Sequence, residues 1–584
     1  MFIERVLKRP ASLCVLLLAF CTLAAYPFVE MGGNDDFSYV RSAKALAETG
    51  HIVFFGWSSA MLGWQLALGA LFIKLFGFSF IVTRVSILLV ALCLTFLLQR
   101  TFVRLGLTET NAAFATLTLV LSPLFIPLSF SFMSDIPGLF AIVLCLYLCL
   151  RAIEASRPSQ TSAWLIAAAV SSALLGTARQ TGWLGVLVIV PSACWLLRRR
   201  RLSIIPITFA WLLCALFIFA ALDWFGHQMY TTAESLNGIG VDREHLVNIA
   251  TAGLRGLLEA ALFLSPIFIA YALPFLKTRN RWVYLSLTGV VVFCTLLWLR
   301  PHSYWVETVL APASSGIGNY VTPNGILELP AIGNRPVVLN FAVRLVITVV
   351  SYFAAFAFVV LLITPDRQVK GPDAMASELS WQQLFLLIGP FTLAYCAFLA
   401  IRVFSGVMFD RYLLPMLVVL AVVAVRFYQE RINPRLPRTC FAVLFLFAAF
   451  GVAGIHDMFA TDRARLAAIE QLRAAGIPRT AFYAGFAYDG WTQIDAQGHI
   501  DVSDIHTPTG ISHLATSKFA LCSYWVARYY PAIKPQYVIS YDDFSCGDPQ
   551  NTFAPVPYRL WLPPFSGAIY SRSVSHTLLS QSGN

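Results

Sequence analysis

Uncharged runs recur along the chain. The first, Ala11 to Val29, is followed by similar stretches that predict helices near 81–99, 111–128, 136–152, 161–177, 182–197, 203–222, 257–276, 282–299, 338–363, 383–401, 412–428 and 439–455. About 20 residues rising 1.5 Å each cross a hydrocarbon core of roughly 30 Å, so these runs predict about thirteen transmembrane spans. Arginine and lysine gather in alternate connections: Arg5, Lys8 and Arg9, then Arg100 and Arg104, Arg151 and Arg157, Arg198 to Arg201, Lys277 with Arg281, Arg367 with Lys370, and Arg426 through Arg438. Positive loops stay in the cytoplasm, which predicts a cytoplasmic N-terminus. A cleaved signal peptide ending at the "LAA" of Leu23 to Ala25 is the alternative, but the apolar run is longer than a signal peptide needs. Either way, the segment after Val29 emerges outside.

The outward segments differ in kind. Residues 31–80, 223–256 and 300–337 are long and polar, and within the first of them "AMLGWQLALGALFIKLFGFSF" reads as a re-entrant or interfacial helix, too short and too interrupted by Lys74 to span. The chain divides into a membrane domain, 1–455, and a tail, 456–584, of ordinary composition. In the tail, Leu466, Ile469 and Leu472 share one helical face, Gly476 and Pro478 stop that helix, and "TAFYAG", "YVISY" and "YRLWLP" predict strands. The expected architecture is a polytopic α-helical membrane protein carrying a small extracytoplasmic α/β or α+β domain. No repeat of 20–50 residues is visible along the chain.

Composition sharpens this. With 58% hydrophobic and 12% charged residues the chain cannot cover its apolar surface in water. The net charge of +11 sits in short loops instead of on one soluble face, which removes the nucleic-acid reading. Of twelve cysteines, only Cys522 and Cys546 lie in the tail, and in an oxidising compartment they are expected to form a disulfide, with two buried thiols as the alternative.

Charged residues beside the hydrocarbon carry the candidate chemistry. Asp35 and Asp36 stand just past the first span in "MGGNDDFSY"; carboxylates there are costly unless used or paired, and one of them can also cap the next helix. Asp135 in "SFMSDIPGLF" falls on the same side, where it reads as a helix cap before Pro137 or as a site residue. Arg179 in "GTARQTGWLG" lies in a tight outer connection, suited either to snorkel or to fork onto one lipid phosphate. Asp410 and Arg411 open a late span in "MFDRYLLP", as a surface ion pair or as part of the site.

The order of these features resembles the multi-spanning GT-C glycosyltransferases, within them the protein O-mannosyltransferase and aminoarabinose lipid A transferase group, close to the bacterial RgtA/B/C/D-like branch. The acidic pair with a following tyrosine matches Asp35, Asp36 and Tyr39. An Asp-x-Pro turn after the third span matches Asp135 and Pro137, a cation followed by glycine between spans five and six matches Arg179 and Gly182, and Arg-Tyr-x-x-Pro matches Arg411, Tyr412 and Pro415. The resemblance covers roughly 11–430 and is firmest over 31–200. This chain departs from it in having Asp-Asp where Asp-Glu is frequent and Arg179 where lysine is commoner, and its tail does not resemble the β-trefoil of the eukaryotic mannosyltransferases.

The resemblance implies a bacterial inner-membrane transferase with a periplasmic site, moving a sugar from polyprenyl phosphate to lipid A or another part of lipopolysaccharide, a surface polysaccharide or a protein. Asp35, Asp36 and Asp135 are its catalytic candidates, with Asp35 as base and Asp36 chiefly structural. Arg179 and Arg411, with Arg41 and Lys74 in reserve, are candidates for the donor phosphate, and Tyr39 and Tyr412 for substrate contact. Displacement at a sugar phosphate independently needs a carboxylate to accept the acceptor's proton and cations to bear the leaving phosphate. Neither a glycine-rich Rossmann turn nor a P-loop occurs, which favours a lipid-linked donor, and no cofactor is expected. The nine histidines lack ligand spacing, so the remaining metal expectation is a weak magnesium or manganese site at Asp35 and Asp135. A transporter or flippase for an amphipathic lipid is the competing class; such proteins keep their charged sites near the midplane.

Overall fold

The structure, a computed structural model, describes residues 9–200, 204–231, 243–278, a few positions between 281 and 289, 320–327, 332–333, 335–364, 379–404, 408–500, 529–541 and 553–574. The chain is a multi-pass membrane protein. Among the described residues seven helices are long and apolar enough to cross a bilayer, and a bent pair makes an eighth.

In chain order the helices are α1 (Pro10–Ala24), α2 (Asp36–Thr49), α3 (Gly63–Phe76), α4 (Phe80–Arg104), α5 (Glu109–Val120), α6 (Phe125–Ser129), α7 (Asp135–Glu154), α8 (Pro158–Leu175) and α9 (Gln180–Leu196). They continue with α10 (Ile204–Gly226), α11 (Arg243–Phe263), α12 (Ser265–Leu276), α13 (Phe341–Ile363), α14 (Trp381–Phe404), α15 (Leu414–Arg431), α16 (Arg438–Ala474) and α17 (Phe486–Gln497).

The expected spans are not all unbroken rods. The run expected at 111–128 splits into α5 and the five-residue α6, with Pro123 and Pro127 in and around the break, because proline donates no backbone hydrogen bond and its ring clashes with the preceding turn. The run at 257–276 bends by 66° between α11 and α12, where Pro266 opens the second piece. The first span is only the fifteen-residue α1. The span expected at 282–299 lies mainly outside the described residues. Helix α3 covers the predicted interfacial stretch and is fourteen residues long.

The chain's exit from α1 is tied to the next long span. Ser79 caps α4, accepting from the amides of Ile81 and Val82, while the Glu30 carboxylate accepts from Ser79 Oγ and from Phe80 N at 2.9 Å. A carboxylate at a helix N-terminus also complements the helix dipole.

The boundary expected at 455 falls inside α16, whose 37 residues run without a break from the membrane into the tail. Nothing between Gly454 and Gly476 interrupts the helical period, and the helix ends where the sequence predicts, with Gly476 at φ 78°. Its distal half carries the sheet: Ala464, Ala468, Ile469 and Leu472 pack on Phe482, Ile539, Tyr558 and Ile569. The tail strands are Phe482–Tyr483, Tyr537–Ser540, Val556–Arg559 and Ser566–Ser573; the first pairs parallel to the second, and the fourth lies antiparallel between the second and the third. Asp457 of α16 accepts from Trp561 N at 2.7 Å and Leu562 N at 3.0 Å, which fixes the sheet where the helix leaves the bundle. Cys522 and Cys546 lie outside the described residues.

Candidate active site

Four charged side chains from four separate helix ends converge. Asp35 is the residue before α2, Asp135 the first of α7, Arg179 lies in the connection from α8 to α9, and Arg411 in a 3-10 turn, Asp410–Leu413, that leads into α15. Arg179 Nη1 donates to Asp135 Oδ1 at 2.6 Å, and to Ser134 Oγ at 3.4 Å. Arg411 bridges the two acids, with Nη2 3.4 Å from Asp35 Oδ2 and Nε 3.8 Å from Asp135 Oδ2. That Asp135 oxygen accepts no hydrogen bond among the described residues.

The four are not equally accessible. The Asp35 and Arg179 side chains keep 17% and 18% of their surface, Asp135 and Arg411 only 3% and 5%. Asp35 and Arg179 are thus the more accessible carboxylate and guanidinium, with Asp135 and Arg411 as a buried brace between them.

Local packing explains the placement. Arg179 reaches Asp135 along the first turn of α7, across Gly138, where a Cβ would stand 2.9 Å from Arg179 Cβ. Gly182 lets the connection fold on itself, since its Cβ would lie 2.9 Å from Gly176 Cα. Asp410 and Arg411 are both buried, which removes the surface ion-pair alternative: Asp410 accepts from Tyr320 N at 3.0 Å and Val321 N at 2.9 Å, clamping that segment beside the site. The Tyr412 ring lies under both guanidiniums, 4.9 Å from Arg179 and 5.6 Å from Arg411, and its hydroxyl accepts from Arg402 at 3.0 Å. Cation–π contacts of this kind hold a guanidinium plane in place.

Burial lifts the Asp35 carboxyl above the ordinary carboxylate range, opposed by the Arg411 charge and by the indole N–H of Trp57, which donates to Asp35 Oδ1 at 2.5 Å. Burial, and next the Asp35 charge, push the Tyr39 phenol well above its usual value, so Tyr39 remains a neutral neighbour of the four.

Other candidates lie elsewhere. Asp36, grouped with the catalytic acids from sequence, turns away from them into a knot of amides and Arg84. Arg41 pairs with Asp495 of the tail at 3.2 Å, and Lys74 is exposed near the end of α3, so neither joins the cluster. No group of three or more His, Cys, Asp or Glu among the described residues is placed to hold a metal. Asp35 and Asp135, the expected cation ligands, are instead bridged by Arg411. Sequence reasoning missed Trp57 and Arg84. Arg84 had a visible signal as a lone cation near the start of an apolar span; Trp57, in "FFGWSS", had none beyond a Gly-aromatic turn.

These helix ends define a membrane protein with a charged site at one end of its helices, and one comparison with known proteins bears on the group the motifs suggest. Residues 60–224 match the family model described as dolichyl-phosphate-mannose-protein mannosyltransferase, a stretch that includes Asp135 and Arg179 and bears out the resemblance to the protein O-mannosyltransferase group. No curated protein matches the chain in sequence. Among solved structures, ArnT from Cupriavidus metallidurans bound to undecaprenyl phosphate is 11% identical, over 96% of this chain and 97% of its own, at a TM-score of 0.36. The oligosaccharyltransferase AglB from Archaeoglobus fulgidus, in complex with an inhibitory peptide and a dolichol-phosphate, is 14% identical over 90% of this chain and 69% of its own, at 0.39. At TM-scores this low, neither likeness assigns a substrate or a residue role to this chain.

Proposed function

We propose that this protein is an integral membrane glycosyltransferase that moves a sugar from a polyprenyl-phosphate donor to an extracytoplasmic acceptor, in a bacterial inner membrane with the N-terminus cytoplasmic. The observation that carries this reading is the pairing of one accessible carboxylate, Asp35, with one accessible guanidinium, Arg179, across a buried Arg411–Asp135 brace. Asp35 takes the proton of an acceptor hydroxyl as its oxygen bonds to the anomeric carbon. The bond from that carbon to the phosphate oxygen breaks, and polyprenyl phosphate leaves with its charge borne by Arg179 and Arg411. Asp135 holds Arg179 in place. A divalent cation at Asp35 and Asp135 would have to take the position that Arg411 holds, and no step is routed through one.

The test is release of polyprenyl phosphate from a labelled polyprenyl-phosphate sugar by the purified protein; a carrier would return the sugar lipid intact. Within it, Arg179→Lys keeps the charge but loses the planar fork, and Arg179→Ala loses both. Donor affinity is expected to fall modestly for lysine and by about 10-fold or more for alanine, as for loss of a charge-assisted hydrogen bond. Unchanged affinity in both variants would leave Arg179 a structural partner of Asp135 alone.

A further inference from the structure

Asp35 is oriented from outside its own segment. Trp57, whose indole N–H donates to it at 2.5 Å, has φ 64°, a left-handed conformation that a bulky residue holds only when its surroundings impose it. Those surroundings come from three parts of the chain. Ser38 of α2 donates to Gly56 O, Gly56 N donates to Tyr230 O at 2.8 Å, and Ile500 N donates to Phe55 O at 3.0 Å. The indole ring then packs at 5.4 Å against both Phe486 and Tyr529 of the tail.

The tail is seated there by more than one contact. Phe486 opens α17 and also meets Phe37 edge-on at 5.4 Å, while Gly490 one turn later admits that same ring so closely that a Cβ would lie 2.4 Å from it. Further along α17, Trp491 lies under Arg41 at 5.1 Å and Asp495 pairs with Arg41. Asp489 fixes the start of α17 by accepting from Ala484 N at 2.9 Å and Gly485 N at 3.0 Å. Thus α17 lies along α2, the helix that Asp35 precedes, and reaches over its end to Trp57.

We propose that the C-terminal tail completes the active site: Phe486 of α17 and Tyr529 hold Trp57, and Trp57 is the positioning residue that aims Asp35 at the acceptor and keeps it ready to accept a proton. A hydrogen bond donated to a carboxylate favours its ionised form, which offsets the burial acting on Asp35. The inference rests on the reading of Asp35 as base.

Trp57→Phe keeps an aromatic ring for Phe486 and Tyr529 and removes only the donor. At pH values below the acid limb of the pH–rate profile turnover is expected to fall by about 10-fold, the worth of a hydrogen bond to a charged group, because the limb moves up by about one unit, and activity is regained as the pH is raised. Donor KM stays near normal. Phe486→Ala, with Trp57 intact, moves the limb the same way, Phe486→Leu restores most of it, and hydrogen exchange at the amides of 54–58 quickens in Phe486→Ala only. An unmoved limb in Trp57→Phe, or a loss that raising the pH does not relieve, overturns the role of Trp57 while wild-type release of polyprenyl phosphate still supports the enzyme. If wild type releases none, the enzyme reading falls, and unchanged exchange at 54–58 in Phe486→Ala would then also remove the hold of α17 on this loop.

Discussion

Asp35→Asn is expected to lower turnover by roughly 100-fold or more, the usual worth of general base catalysis, while donor binding survives. Asparagine keeps the size of the side chain and can still accept from Trp57, so the loop that carries it should stay in place. What it loses is the proton acceptor on the accessible side of the cluster. Of the guanidiniums assigned to the phosphate, Arg179 is held by Asp135, and Arg411 loses the Asp35 charge but keeps its contact with Asp135. The pH dependence of wild type is expected to come from the same residue. Burial raises the carboxyl of Asp35, and only its ionised form can accept a proton, so activity is present above the folded pKa and is lost as pH falls through it. The acid limb should therefore lie above the range of an exposed aspartate. Rates of polyprenyl phosphate release, normalised to correctly inserted protein, decide the matter: near-normal turnover in Asp35→Asn would remove the base from this position.

The four clustered residues were legible because each is an expensive charge at a predicted helix end, and the alternation of basic loops placed all four on one face. Arg41 and Lys74, the reserve cations for the donor phosphate, do not join them. Arg41 has Asp495 and Trp491 for company, partners more than 400 positions away that no local pattern connects to it. Trp57 was invisible for the same reason, since its meaning lies in Phe486 and Tyr529. In the fold, the strand Ser566–Ser573, "SGAIYSRS", sets only the short run Ala568 to Tyr570 among small and polar residues, too little apolar sequence to read. The unbroken α16 was misread as two elements because hydropathy drops after Ile455 while the helical period does not. Hydropathy marks where the surroundings change, and a helix crosses that boundary when no glycine or proline intervenes.

Changing Asp36, next in sequence to the proposed base, is expected to cost stability instead of chemistry. Its side chain is fully buried and accepts from Gly33 N at 2.7 Å, Asn34 N at 3.3 Å and Phe132 N at 3.4 Å, with Arg84 Nε 3.8 Å away. Arg84 in turn donates to Val29 O at 2.9 Å and to Met31 O, and lies over the rings of Phe80 and Phe459. This pair ties the exit of α1, the start of α2, the turn before α7 and two further helices into one knot, on which the position of Asp35 depends. Removing one partner of a buried pair strands the other, an effect of about 3–5 kcal/mol. Arg84→Met leaves the Asp36 carboxylate with backbone donors alone; Asp36→Asn leaves Arg84 with its carbonyl partners and the neighbouring Asp462. Each should sharply lower the melting midpoint of the purified protein and the amount recovered from membranes. The double variant Asp36→Asn with Arg84→Met should lose less than the sum of the two, because neither charge is then left alone. Turnover per folded molecule in Asp36→Asn should stay well above that of Asp35→Asn. The outcome that would exchange the two roles is an Asp36→Asn protein that melts like wild type but turns nothing over.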